Sequence, residues 1–163
     1  GAASHGETRC EQIVAEDHRD VSAYSYLELK ATFLINYHSL SECGQQGSEC
    51  PLMLYMNYLD ASGQEREWYK GFYYGINPQS NYPLRCASCV ELHTQVNEKV
   101  WYTYSTGNLI GLLPEGERPQ QINTLRFYAS GHQYDVFVSE VTLLAGRREV
   151  IPPSDNLTPL NEE

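Results

Sequence analysis

The segment Arg66–Gly75, REWYKGFYYG, carries the residue types best suited to contact a ligand, because half of its side chains are aromatic. A β-strand points successive side chains to opposite faces. One parity carries Trp68, Phe72 and Tyr74, and we assign it to the core, with Lys70 as the misfit on that face. The other parity is also aromatic, so the segment has a second apolar face that a half-buried strand does not need.

Tyr69 and Tyr73 occupy this second face on either side of Gly71, which is expected to leave a shallow notch suited to a flat sugar ring. The preceding strand places Tyr55 and Asn57 on one parity, so Tyr55 is expected to join the tyrosines as a cross-strand cluster. Three interpretations stay open: the rings stack only on one another, bind a glycan, or contact another protein. The candidate ligand-binding residues are Tyr55, Asn57, Tyr69, Tyr73, Tyr102 and Tyr104.

The five cysteines offer a choice between disulfide and metal chemistry. Cys43 and Cys50 bracket a short loop, and we favour a local disulfide between them. Cys86 and Cys89 either form a second, tight bridge, or one of them bonds to Cys10. Disulfides indicate an oxidising compartment, and hence an exported protein at the cell surface or outside the cell.

Metal and acid–base chemistry are weaker alternatives. Cys86-x-x-Cys89 with His93 four residues on resembles half of a zinc site, but the Cys43/Cys50 spacing does not fit a usual zinc ribbon. Glu65 and Glu67 share a strand face, as a glycosidase acid pair would, yet they follow a turn where solvated acids are common. We therefore predict disulfides and no catalytic activity.

Composition limits the class of partner. The chain has 163 residues, which suits a single domain, and a net charge of −10, which repels the phosphates of nucleic acid. No apolar run approaches the ~18 residues that would span a membrane. Thirteen tyrosines against four phenylalanines favour surfaces that bind glycans or neighbouring protein subunits.

The hydrophobic pattern predicts an all-β protein. Alternation from Leu27 to Ile35 indicates a strand with one buried face, and Leu52–Leu59 is apolar on both parities, as in a central strand. Further strands are predicted at 100–104, 122–129 and 134–144, separated by turn-forming residues. We predict an N-terminal arm or first edge strand at 1–20, a single antiparallel β-sandwich at 21–146, and a Pro-rich tail at 147–163.

Four segments carry a resemblance to a known group: DVSAYSYLELKATF, GSECPLMLYMNYLDASGQEREWYKGFYYG, KVWYTYSTGNLIGLL and INTLRFYASGHQYDVFVSEVTLL. Together they resemble the C-terminal β-sandwich module of bacterial extracytoplasmic proteins of the FecR-associated type. The last segment is also similar to the closing strands of galactose-binding-like jelly rolls, a fold shared by many carbohydrate-binding modules. The resemblance implies a jelly-roll-type sandwich with a carbohydrate-binding-like function at the cell surface.

The resemblance also implies a metal and an alternative function. Jelly-roll carbohydrate modules often hold a structural calcium near the first and last strands, for which Glu7 and Glu140 are the matching acids here; no other cofactor is required. The related module has a further strand before the HGETR segment. Either the sequence is a trimmed fragment, or an edge is open here for a strand from elsewhere. An open edge favours the alternative of a structural subunit in a fibre, pilus or surface complex, assembled by strand exchange through the terminal arms.

Overall fold

The computed structural model describes residues 6–131, 133–147 and 156–160, which form two layers of strands with short helical turns between them. One of these turns is a four-residue α-helix, α1 (Leu109–Leu112). The strands in chain order are β1 (Gly6–Ile13), β2 (Tyr26–His38), β3 (Leu52–Leu59), β4 (Glu65–Tyr73), β5 (Thr94–Gln95), β6 (Trp101–Ser105), β7 (Gln121–Gly131), β8 (Tyr134–Gly146) and β9 (Asn156–Pro159).

The strands form two sheets that face each other across the core. The first sheet has the order β1-β7-β3-β4-β5, and the second has the order β8-β2-β6-β9. Neighbouring strands are antiparallel except for the short parallel pair of β4 and β5. The prediction of an all-β antiparallel sandwich is therefore confirmed, while its jelly-roll connectivity stays a prediction.

The core lies between the sheets and follows the alternation read from the sequence. In β2 the side chains of Leu27, Leu29, Ala31, Phe33 and Ile35 are all buried. They meet inward side chains of the first sheet, including Trp68 and Phe72, and the Phe33 and Phe72 rings lie 4.5 Å apart. Strand β3 is buried on both faces, because its outward side chains are covered as well, and this explains its continuous apolar run.

Strands β3 and β4 form an antiparallel hairpin, and Asp60 closes its turn. The Oδ1 atom of Asp60 accepts hydrogen bonds from the backbone N–H groups of Ser62 and Gln64. Its Oδ2 atom accepts from Nε of Arg66 at 2.9 Å. A hydrogen bond from the Ser62 hydroxyl to Oδ1, at 2.6 Å, lowers the pKa of Asp60 most, and with the bonds from Arg66 and the two N–H groups it brings this pKa to about 2. The carboxylate therefore stays charged and keeps the turn closed at neutral pH.

Lys70 is the misfit on the inward face of β4, and the structure supplies its partner. The side chain is 2% exposed, and its Nζ lies 3.0 Å from Oε2 of Glu91. The indole N–H of Trp68 donates to the other oxygen of the same carboxylate at 3.1 Å. Glu91 therefore satisfies two buried donors of β4 and ties the 84–93 loop to this strand.

Both predicted terminal segments contribute a strand. β1 is an edge strand that pairs along its whole length with β7, and β9 pairs with β6. At 156–159 the predicted Pro-rich tail therefore pairs with its own chain; residues 1–5, 148–155 and 161–163 lie outside the described part of the chain. No helix within the described ranges is both long enough and apolar enough to cross a bilayer.

Candidate functional site: a tyrosine-lined depression

The outer face of the first sheet, which points away from the second sheet, brings the aromatic residues together. Strand register places Arg126 of β7 opposite Tyr55 of β3, and Tyr55 opposite Tyr69 of β4. The rings of Tyr55 and Tyr69 lie 5.0 Å apart, which confirms the predicted cross-strand pair. In the neighbouring row Tyr128 lies opposite Met53, and Met53 lies opposite Gly71.

Two disulfide-closed loops cover one end of this face. Cys43 bonds to Cys50 and Cys86 bonds to Cys89, so the favoured pairing and the local alternative for the second pair are both present. Cys10 is free and exposed on β1. All four bonded cysteines are buried and pack with Met53 and Tyr73 in a small second core. Two disulfides fit an oxidising compartment.

The predicted notch at Gly71 does not exist as an open surface. A Cβ atom at this position would lie 2.7 Å from Nδ1 of His93 and closer still to Sγ of Cys50. The space between the Tyr69 and Tyr73 positions is therefore filled by the protein itself. Gly71 is required for the close approach of the disulfide rather than for a ligand.

His93 fixes this contact and cannot bind zinc. Its Nδ1 accepts a hydrogen bond from the backbone N–H of Gly71 at 2.9 Å, and its Nε2 donates to the carbonyl of Gly47 at 2.7 Å. Burial lowers the pKa of His93, which keeps the ring neutral in this arrangement. Both ring nitrogens are occupied and the four nearby sulfurs are in disulfides, so the zinc alternative is wrong.

A depression opens between the covered end and the exposed part of the outer face. One part has a volume of about 510 Å³, with Met53, Tyr69 and Tyr128 among its lining residues. Its polar wall comes from Gln46, Ser48 and Ser88 of the two disulfide loops. An adjoining part of about 560 Å³ shares Gln46, Ser48 and Tyr128 and is further lined by Glu7, Gln45, Glu49 and Ser130. We call the two parts together the tyrosine depression.

Hydrogen bonds to Glu67 hold Tyr55 and Tyr69 in place. The hydroxyl groups of Tyr55 and Tyr69 donate to the two oxygens of Glu67 at 3.0 and 2.9 Å. Burial together with this carboxylate raises the pKa of Tyr55 to about 12 and also raises the pKa of Tyr69. Both phenols are therefore neutral at physiological pH and present fixed, uncharged rings.

Arg126 of β7 packs against the rings of Tyr55 and Tyr128. Its guanidinium lies 4.6 Å from the ring centroid of Tyr55 and 6.0 Å from that of Tyr128. The same group binds Glu11 of β1, with its Nε 2.6 Å from Oε2. Because Arg126 is stacked and paired, it acts as a support for the aromatic floor.

Three of the predicted ligand-binding residues are buried and do not lie on an exposed surface. Tyr73 is 3% exposed beneath the disulfides, and Tyr102 and Tyr104 are 4% and 1% exposed in the main core. In β6 these two tyrosines lie opposite Phe33 and Ala31 of β2, which fixes their inward direction. A ligand cannot reach rings that are packed against the core, so including them in the site was wrong.

Of the other predicted ligand residues, only Tyr69 lines the depression. Tyr55 is 7% exposed and packs beside Tyr69 on the neighbouring strand. Asn57 is 8% exposed, and its amide donates to Glu65 while its oxygen accepts from Asn123. Tyr55 and Asn57 therefore act as supporting residues, and Glu65 and Glu67 are engaged with Asn57 and the tyrosines.

Sequence reasoning missed Tyr128 and the polar wall. Tyr128 belongs to a predicted strand, and its position in the LRFYAS segment shows which residues share its face. Placing Tyr128 beside Met53 also requires the pairing of β3 with β7, which the sequence does not give. The wall residues Gln46, Ser48 and Ser88 lie in irregular loops without any periodic signal. Their positions depend on the two disulfides and on His93.

The predicted calcium pair is separated by the sandwich. Glu7 lies on β1 at the outer face of the first sheet, whereas Glu140 lies opposite Thr32 on the outer face of the second sheet. Packed sheets lie about 10 Å apart, so these acids cannot bind one ion. Within the described residues, the one cluster of potential metal ligands is Cys43, Cys50 and His93, which the disulfide and the ring's hydrogen bonds occupy.

Comparison of the chain with protein-family models, with curated proteins and with solved structures finds no match. The resemblance to FecR-associated and galactose-binding-like modules therefore stays a prediction. A functional assignment has to rest on the geometry of the tyrosine depression.

Proposed function

We propose that the protein is a non-catalytic, extracytoplasmic carbohydrate-binding module, and that the tyrosine depression is its binding site. The observation that carries this proposal is the pair of half-buried rings, Tyr69 and Tyr128, at the floor of one depression. A pyranose ring has apolar C–H faces, and a rigid aromatic ring is a suitable surface for them.

The wall of the depression supports the same function. Gln46 and Ser88 are exposed, and with Ser48 they offer amide and hydroxyl groups at the edge of the aromatic floor. Sugar hydroxyl groups need both donors and acceptors, and these side chains supply both. An apolar floor with a few polar groups around it is the usual composition of a small-molecule site.

The rigidity of the depression also suits a binding site. The floor lies on strands, Tyr69 is held by Glu67, and both wall loops are closed by buried disulfides. A preformed site loses little conformational entropy when it binds a ligand. The disulfides also agree with a location outside the cytoplasm.

Binding to a panel of immobilised oligosaccharides, followed by calorimetry on the ligands retained, tests the proposal. We expect Tyr69→Ala and Tyr128→Ala each to weaken binding about tenfold or more, the loss typical of a central aromatic contact. Tyr69→Phe keeps the ring and should retain most of the affinity. Tyr37→Ala removes a tyrosine that is 46% exposed outside the depression and serves as the matched control.

Circular dichroism of each variant separates lost binding from lost folding. If the wild-type protein binds no saccharide in the panel, the proposal is wrong. Equal affinity of the Tyr69→Ala and Tyr128→Ala variants and the wild-type protein would place the site elsewhere.

The alternative is a structural subunit of a fibre, pilus or surface complex assembled by strand exchange. One observation favours it: β1 and β8 each pair on one side only, and inward residues such as Phe127, Val138 and Leu143 are only partly buried along the opening between them. β1 and β9 each pair with a strand of their own chain, β7 and β6 respectively, which argues against these arms as strands donated to a neighbouring subunit. A mass near 18.6 kDa by light scattering at high concentration would exclude assembly.

A further inference from the structure

The tyrosine depression is negatively charged, and its charge bears on the kind of saccharide that it selects. Resting on the proposed function, we propose that the depression favours saccharides with protonated amino groups and excludes acidic ones. Three features support this preference: the charges around the depression, the pairing of the nearby arginines and the chemistry of the aromatic floor.

Acidic side chains outnumber basic ones around the depression. Glu7 and Glu49 belong to its lining, and no lysine or arginine does among the described residues. The acids on the outer face and the wall loops are Glu7, Glu11, Glu49, Glu65 and Glu67, and the bases there are Arg9, Arg85 and Arg126. The whole chain has a net charge of −10, which adds to the same field.

Two of these arginines are already paired. The guanidinium of Arg126 binds Glu11, and that of Arg9 lies 3.4 Å from Oε1 of Glu7 at the edge of the depression. An acidic sugar would have to compete with these carboxylates for a cation. It would also bring its own charge close to Glu7, which lines the depression.

The effect of Glu7 reaches the aromatic floor. Burial raises the pKa of Tyr128 to about 12, and the charge of Glu7 contributes to the rise more than that of Glu67. The negative charge of Glu7, which disfavours a phenolate at Tyr128, favours an ammonium group bound beside the ring. The faces of Tyr69 and Tyr128 also attract a cation through their π-electrons. An amino sugar can use the rings and the carboxylate together.

Three oligosaccharides of equal length test the inference by calorimetry at about pH 6, where amino groups are protonated. These are a glucosamine oligomer, its N-acetylated counterpart and a galacturonic acid oligomer. We expect the glucosamine oligomer to bind about two- to fivefold more tightly than the N-acetylated one, as one partly exposed ion pair provides. We expect no binding of the acidic oligomer, and we expect the preference to disappear at ~1 M salt.

A matched pair of variants separates this site from the general attraction of a polycation to an acidic protein. Glu7→Gln should remove most of the preference. Glu140→Gln makes the same change of charge on the outer face of the second sheet, and it should leave the preference unchanged. Each acid is exposed, so both variants are expected to fold.

The outcomes distinguish this inference from the proposed function. Binding of the N-acetylated or acidic oligomer as tightly as the glucosamine oligomer overturns the inference alone. An equal loss of preference in Glu7→Gln and Glu140→Gln also overturns it. Failure of all three oligomers to bind rejects the inference, whereas a saccharide-binding function is rejected by failure of the wider saccharide panel.

Discussion

The buried ion pair of Lys70 and Glu91 leads to the sharpest prediction about stability. Glu91→Gln removes, with little change of shape, a negative charge that lies 3.0 Å from the ammonium group of a 2% exposed lysine. At 3.0 Å and an effective dielectric constant of ~20, the Coulomb attraction is about 5 kcal/mol, part of which offsets the desolvation of both groups. Glu91 itself is 15% exposed, so we expect the free energy of unfolding to fall by about 3 kcal/mol.

The partner substitution is expected to behave differently. Lys70→Met keeps an unbranched side chain in the core and removes the buried charge, while Glu91 retains the hydrogen bond from Trp68 and some contact with water. We expect the double variant Lys70→Met/Glu91→Gln to be within about 1 kcal/mol of the wild-type protein, because replacing both charged groups with neutral side chains removes the cost of desolvating them.

Urea unfolding followed by far-ultraviolet circular dichroism, with the disulfides intact, measures these differences. The comparison gives the coupling free energy between the two side chains. The reasoning is refuted if Glu91→Gln costs less than about 1 kcal/mol. It is also refuted if the double variant is as unstable as the Glu91→Gln variant.

Two further predictions concern the packing under the disulfide and the response to acid. Gly71→Ala should lower the free energy of unfolding by about 1–3 kcal/mol because the new methyl group meets Cys50, whereas Gly116→Ala, with open space around its Cβ, should be nearly neutral in the same urea assay. Burial lowers the pKa of His38 to about 4, so between pH 6.5 and 4 the unfolded chain binds a proton that the folded protein does not. The free energy of unfolding should therefore fall by about 3 kcal/mol as the pH decreases through this window. The His38→Gln variant should lose this pH dependence, whereas His18→Gln, at an exposed site, should keep it. An unchanged pH dependence in His38→Gln would contradict the assignment of the effect to His38.

Local patterns predict the strands well, because each depends on neighbouring residues. Alternation from Leu27 to Ile35 identifies β2, and the Asp60–Gly63 turn identifies the hairpin of β3 and β4. The Cys43–Cys50 bridge is predictable because the two residues are close in sequence and enclose a short loop. These features require no knowledge of the rest of the fold.

The composition of the candidate site was predictable only in part. Sequence parity correctly places Tyr55 and Tyr69 on one face, but parity cannot show that loops cover Tyr73. In β6 the aromatic residues Trp101, Tyr102 and Tyr104 occupy both parities, so the inward side could not be identified from the segment alone.

By itself, the amino-acid sequence determined the all-β class, the principal strands, the acidic surface and the local Cys43–Cys50 bridge, since these depend on composition and on contacts between near neighbours. Only the tertiary structure decided that Gly71 receives a disulfide, that Lys70 finds Glu91, and that Tyr128 joins Tyr69 at the floor of the depression. Each of these contacts joins residues far apart in the chain. Their formation depends on strand register and loop packing, which no local pattern encodes.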